Sequence, residues 1–97
     1  MSTARRALDW FFRDRRTGAI TIGQWPNPPL LIFGVCAAVD WLFAPAGSLG
    51  SVLRLLGALA LTYWAMDELL RGVNPWRRCL GALVLAGLSW NLVQALA

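Results

Sequence analysis

A chain of 97 residues that is 58% hydrophobic and 14% charged, with a mean hydropathy of +0.54, is too apolar for an ordinary small soluble domain; such domains carry about 25% charged residues. The same balance excludes a disordered or collagen-like chain, and two cysteines do not make a disulfide-stapled module. The net charge of +4 comes from nine arginines against five acids, with no lysine and no histidine, so the placement of the arginines decides what the charge is for.

Five of them, Arg5, Arg6, Arg13, Arg15 and Arg16, precede the first apolar stretch, and Arg71, Arg77 and Arg78 cluster between the second and third. Only Arg54 lies elsewhere. A helix needs about 20 residues to cross a hydrocarbon layer roughly 30 Å thick. Three stretches, 29–45, 51–70 and 78–97, approach that length, the first being the shortest. The expected fold is therefore all-α: a polytopic membrane protein with three transmembrane helices (domain 29–97) behind a cytoplasmic or interfacial segment, 1–28. The positive-inside rule puts the N-terminus in the cytoplasm and the C-terminus outside, because eight arginines then stay on the cytoplasmic side. Arginine beside membrane helices fixes topology and attracts anionic head groups, which removes the case for nucleic acid as a partner.

In chain order, residues 4–16, ARRALDWFFRDRR, place Leu8, Phe11 and Phe12 at helical spacing with arginines on the remaining positions. This predicts an amphipathic helix lying at the interface. Thr17 and Gly18 end it. The segment AITIGQWPNPP cannot continue a helix through Pro26, Pro28 and Pro29, and predicts an ordered turn with Pro28 or Pro29 at the first helical position of the opening span. Plain interfacial packing and contact with a partner both fit this segment.

In the first span, Gly34 and Ala38 form a small-x-x-x-small pair suited to close helix packing. Gly57 in the second span and Gly81 in the third offer the same. The hairpin 45–50 makes the first two spans antiparallel neighbours, and Pro75 and Trp76 suit the start of the last helix. Trp10, Trp25, Trp64 and Trp76 fall towards the cytoplasmic side and Trp41 and Trp90 towards the outer side. The two groups predict two aromatic belts, with Trp10, Trp25, Trp41, Trp76 and Trp90 as interfacial anchors.

Charged groups near membrane depth must be paired or reach the interface. Asp40 and Arg54 flank the outer hairpin and predict a structural ion pair. Asp67 and Glu68 lie four and three residues before Arg71, spacings that bring opposite charges together on a helix, and Arg77 and Arg78 follow across the turn. The cluster predicts salt bridges that fix the cytoplasmic turn. Adjacent carboxylates diverge around a helix and no histidine accompanies them, so no metal site is expected.

No catalytic residue, cofactor or phosphate-binding loop is expected either, and the chain reads as not an enzyme. Cys36 and Cys79 differ in depth and predict two buried thiols rather than a disulfide.

The segments TIGQWPNPP (Thr21 to Pro29) and MDELLRGVNPWRRCLGA (Met66 to Ala82) resemble those of small, uncharacterised bacterial inner-membrane proteins with three spans. The resemblance implies a bacterial cytoplasmic (inner) membrane and lends no activity. The absence of lysine also suits a GC-rich genome. The expected function is that of a small accessory or scaffold subunit of a larger membrane complex, with other membrane subunits and lipids as partners. The alternatives are a transporter or channel built as a homo-oligomer, which the uncharged midplane disfavours, and a lipid-binding or lipid-handling protein using the cytoplasmic arginine and carboxylate cluster.

Overall fold

Where the helices start and stop is set by caps. Ser2 accepts a hydrogen bond from the Arg5 amide and opens α1 (Thr3–Phe12). Asn27 accepts from the Leu30 amide and opens α2 (Pro28–Phe43), with proline in its first turn. Asn74 accepts from the Arg77 amide and opens α4 (Pro75–Leu96), again with proline in the first turn. In both cases the ring supplies a helical φ where no amide is needed. Between them α3 runs from Gly47 to Arg71. These four helices, with one isolated antiparallel bridge between Arg13 and Ile20, are the regular structure among residues 2–97, which the computed structural model describes.

The count of membrane-crossing helices corrects the sequence expectation. Among the described residues, only α3, with 25 residues, and α4, with 22, are both long and apolar enough to cross a bilayer. The expected first span is α2, whose 16 residues rise about 24 Å, short of a hydrocarbon layer of roughly 30 Å. Its start is fixed by the prolines. Its end is fixed at Ala44, which adopts the left-handed conformation (φ 42°) and donates its amide to the Asp40 carbonyl. The fold is all-α, with two candidate transmembrane helices rather than three.

α1 also stops four residues earlier than the amphipathic pattern predicts. Arg13 turns extended (φ −79°, ψ 129°), and Asp14 accepts hydrogen bonds from the amides of Arg16 and Thr17. A carboxylate folded back on its own following amides offers the backbone an alternative to the helix, and a turn forms. Gly18, at φ 76°, completes it.

The chain divides into two units, residues 25–64 and residues 2–24 with 65–97. In the first, α2 and the opening turns of α3 form an antiparallel hairpin. Its close approach is at Gly57, where a Cβ would lie 3.3 Å from the Cys36 Cβ and 3.8 Å from the Phe33 ring. Cys36 is correspondingly buried. In the second, the last turns of α3 return as α4 through residues 72–74. At Gly81 a Cβ would stand 2.5 Å from the Ala65 carbonyl oxygen and 2.7 Å from the Leu69 nitrogen, so only glycine lets α4 lie this close to α3.

Candidate functional site

The polar interior of the second unit is built on the three residues that end α3 and begin α4. After Arg71, the Gly72 amide donates to the Glu68 carbonyl (2.8 Å) and terminates the helix. Val73 is buried, and Asn74 has no exposed surface at all. A buried side-chain amide must satisfy all its polar atoms. Besides its capping bond of 2.8 Å, Asn74 donates from Nδ2 to the Phe12 carbonyl (2.7 Å) and the Thr21 carbonyl (2.8 Å). One side chain thus ties the start of α4 to both ends of the segment that folds back after α1.

Three further groups complete the junction. The Trp76 indole donates from Nε1 to the Ile22 carbonyl at 2.9 Å, and Arg77 donates to the same oxygen at 3.2 Å. The Arg15 amide donates to the Val73 carbonyl at 2.9 Å, and its guanidinium bonds the Gly72 carbonyl. The Trp76 ring packs against Phe12 and Phe11, with centroids 5.9 and 6.3 Å apart, while Phe11 and Phe12 meet edge to face at 4.9 Å. Aromatic surface and hydrogen bonds therefore close the same seam.

Beneath it lies a buried ion pair. The Arg77 guanidinium donates through two nitrogens to the two carboxylate oxygens of Glu68, at 3.1 and 3.2 Å, and both residues are buried. The third guanidinium nitrogen serves the Ile22 carbonyl. This matching of a planar fork to a carboxylate is what makes a buried charge tolerable. Among the described residues no buried side-chain polar atom lacks a partner.

The residues expected to form ion pairs are thus distributed over three places. Asp40 and Arg54 meet at 3.3 Å in the α2–α3 hairpin, half-exposed. Arg71 donates from Nε to Asp67 at 2.6 Å on the surface of α3, whereas Glu68, one residue on, faces Arg77. Arg78 donates to the Leu69 carbonyl. Asp67 and Glu68 point apart, as neighbours on a helix must. Among the described residues no group of three histidine, cysteine, aspartate or glutamate side chains is placed to hold a metal ion.

The small residues separate likewise. Gly57 and Gly81 sit at close helix approaches, but Gly34 has nothing within 4 Å of a built Cβ among the described residues, and Ala38 is exposed. The buried face of α2 carries Cys36 instead. Of the tryptophans, Trp10, Trp25, Trp41 and Trp90 are exposed, Trp25 at 96%. Trp76 is half-buried in the seam. Trp64, expected at the cytoplasmic belt, is buried at 6%, so it is a packing residue rather than a lipid-facing one. Cys79, expected to be buried, is exposed on α4.

The junction's own acids lie outside the long apolar helices and show the effect of their partners. The Arg13 guanidinium, hydrogen-bonded to the Asp9 carboxylate, holds Asp9 below its ordinary value, and Arg13 is raised in turn. Asp14 is also held low, chiefly by the Arg16 amide, with the Thr17 amide and the Arg16 side chain adding to it against the opposing effect of burial.

Asn74 is the residue that composition and spacing did not single out. Its signal is the dipeptide Asn-Pro one residue after Gly72, a helix stop followed by an N-cap and a proline at the first helical position.

Compared with protein-family models, curated proteins and solved structures, the chain matches none. The resemblance of Thr21–Pro29 and Met66–Ala82 to three-span inner-membrane proteins is accordingly corrected: no family match supports it, and two helices rather than three qualify as spans. Fold and site together define an all-α, membrane-associated chain whose N-terminal segment is hydrogen-bonded to the turn between its two longest helices.

Proposed function

We propose that this chain is a small, non-catalytic accessory or scaffold subunit of a larger complex in a bacterial cytoplasmic membrane, its N-terminal segment on the cytoplasmic side. The observation that carries the reading is the contrast between two parts of the same helices. Of the most apolar stretch of α4 only 6% is buried, and of that of α3 28%, whereas the junction at their shared end is buried and fully hydrogen-bonded. A core helix of a soluble protein buries its apolar residues. Helices that leave Leu55, Leu59, Leu83 and Leu92 exposed need a lipid or protein environment to cover them.

The arginines and the junction support this orientation. The N-terminal segment is bonded to the start of α4, and with Arg71, Arg77 and Arg78 it gathers eight of the nine arginines at that end. With that end cytoplasmic, α4 carries the C-terminus to the other side. The polar atoms of the junction are engaged in holding the chain together, which suits a docking and scaffolding part.

Purification of the tagged full chain from membranes in a mild detergent tests the proposal. Stoichiometric recovery with other membrane subunits is expected. A complex containing only this chain, able to pass ions when reconstituted in liposomes, would replace the scaffold reading with that of a homo-oligomeric channel.

A further inference from the structure

α1 and the turn that follows it enclose an open groove of about 360 Å³, lined by Arg5, Leu8, Asp9, Phe12, Arg13 and Ile20. Its walls are apolar: Leu8 is 60% exposed and Ile20 53%, both facing outward with no covering element. Its charges are unequal in what they have left to offer. Arg13 is fully occupied, bonding Asp9 through two nitrogens and the Gly18 carbonyl through the third, and the Asp9 charge is matched by the same contact. Arg5 makes no side-chain hydrogen bond or ion pair among the described residues, so the groove carries one uncommitted positive charge beside apolar walls.

We infer that this groove binds one anionic phospholipid of the cytoplasmic leaflet, its phosphate at Arg5 and the start of an acyl chain against Leu8, Phe12 and Ile20. The inference rests on the membrane placement proposed above, which puts α1 at head-group level. Charge complementarity identifies the occupant. Residues 2–18 carry five arginines against two aspartates, and the first turn of α1 contains no acid to offset Arg5 and Arg6. The helix N-terminus adds partial positive charge at the same place. An amphipathic lipid satisfies both halves of the groove, which a free anion or an uncharged alkyl chain cannot. The seam through Asn74 and Trp76 fixes the floor, since Phe12 is held by its carbonyl at one side and its ring at the other.

The test is native mass spectrometry of the full chain, titrated with phosphatidylglycerol or phosphatidylcholine of equal chain length. Wild type is expected to bind one phosphatidylglycerol roughly tenfold more tightly than phosphatidylcholine. Arg5→Ala and Arg6→Ala remove the same charge one residue apart, but only Arg5 lines the groove. Arg5→Ala should cut phosphatidylglycerol affinity about fivefold and Arg6→Ala far less. Leu8→Ser should weaken both lipids together, with the helix content of each variant checked by circular dichroism. Equal losses for the two arginine variants would overturn the site in favour of diffuse attraction. Competition by glycerol 3-phosphate at the same concentration as lipid would overturn it in favour of a small-anion site. Resistance of the chain to alkaline carbonate extraction from membranes is measured alongside. Release into the soluble fraction is a failure of the membrane reading, whereas retention with no lipid preference is a failure of the groove alone.

Discussion

Asn74 holds the second unit together at three points, because its three hydrogen bonds reach three separate stretches of backbone. Asn74→Ala removes the α4 cap and leaves the Phe12 and Thr21 carbonyls without their side-chain donor. The Phe12 carbonyl keeps the Thr21 amide as a donor, so one carbonyl is orphaned. A cap contributes about 1 kcal/mol and a buried polar group deprived of its partner costs about 1–3 kcal/mol, so a loss of about 2–4 kcal/mol is expected. Asn74→Asp is the more informative variant. It keeps the capping oxygen but faces two carbonyls with a carboxylate in place of a donor, so the capped helix should persist while the N-terminal segment detaches. Hydrogen exchange at the Arg15 amide, bonded across the seam to the Val73 carbonyl, reads this directly: its protection should collapse in Asn74→Asp with α4 amides unchanged.

At the same scale, Glu68 and Arg77 form a pair whose halves depend on each other. Removing one partner of a buried pair leaves an uncompensated charge and costs about 3–5 kcal/mol, while replacing both by apolar residues is far cheaper. Glu68→Leu and Arg77→Met should each lower the thermal midpoint in detergent substantially. The double variant should melt above either single one, although it still loses the bond to the Ile22 carbonyl. A double variant less stable than both singles would mean that the pair is not a coupled unit.

Asp14 adds a pH dependence whose direction is fixed by its hydrogen bonds. Its carboxyl is depressed below its ordinary 3.8, so the folded turn favours the charged form. The stabilisation is complete above the ordinary value and disappears as pH falls through the depressed one. Exchange protection of the turn amides should therefore be flat from neutral pH down to about 4 and fall only below it. In Asp14→Asn that acid limb should flatten.

At the scale of elements, the prediction concerns which small residues are packing residues. Gly81 lies against the backbone of α3, where a side chain would overlap the Ala65 carbonyl, whereas Gly87 has open space around it among the described residues. Gly81→Leu should force α3 and α4 apart and lower the melting temperature in detergent. Gly87→Ala should leave it unchanged or raise it, since alanine favours the helix by about 1 kcal/mol over glycine. The sequence shows a small residue but not the face it lies on. Gly34, Gly57 and Gly81 look alike in the chain, and only the last two meet another helix. The caps explain why other boundaries were legible: prolines mark two starts, at 28 or 29 and at 75, because no other position in a helix accepts proline so readily. The end of α1 was hidden for the opposite reason. The apolar spacing continues past Phe12, and the competing pull of the Asp14 carboxylate on the next amides is a local contest that periodicity does not register.

At the scale of the whole molecule, hydrophobicity alone overcounts the spans, because apolar composition measures what a segment avoids and not how far it reaches. α2 is apolar but for Asp40, yet it is stopped at Phe43 by a left-handed residue and at Pro28 by its cap, whereas α3 and α4 run on for 25 and 22 residues. The proposed orientation rests instead on the arginines, whose positions are read without any assumption about helix length. It puts the α3–α4 turn, and the segment bonded to it, on the cytoplasmic side, with the start of α3 and the end of α4 on the other. This is checked by thiol labelling in intact cells, in a Cys36→Ala, Cys79→Ser background so that the exposed native thiol does not report. A cysteine at Thr3 should be shielded from an impermeant reagent until the cells are opened, while one at Ser48 or Gln94 should react at once. Labelling of Thr3→Cys and Gln94→Cys from the same side would show that α4 does not cross, and with it the scaffold reading would lose its anchor.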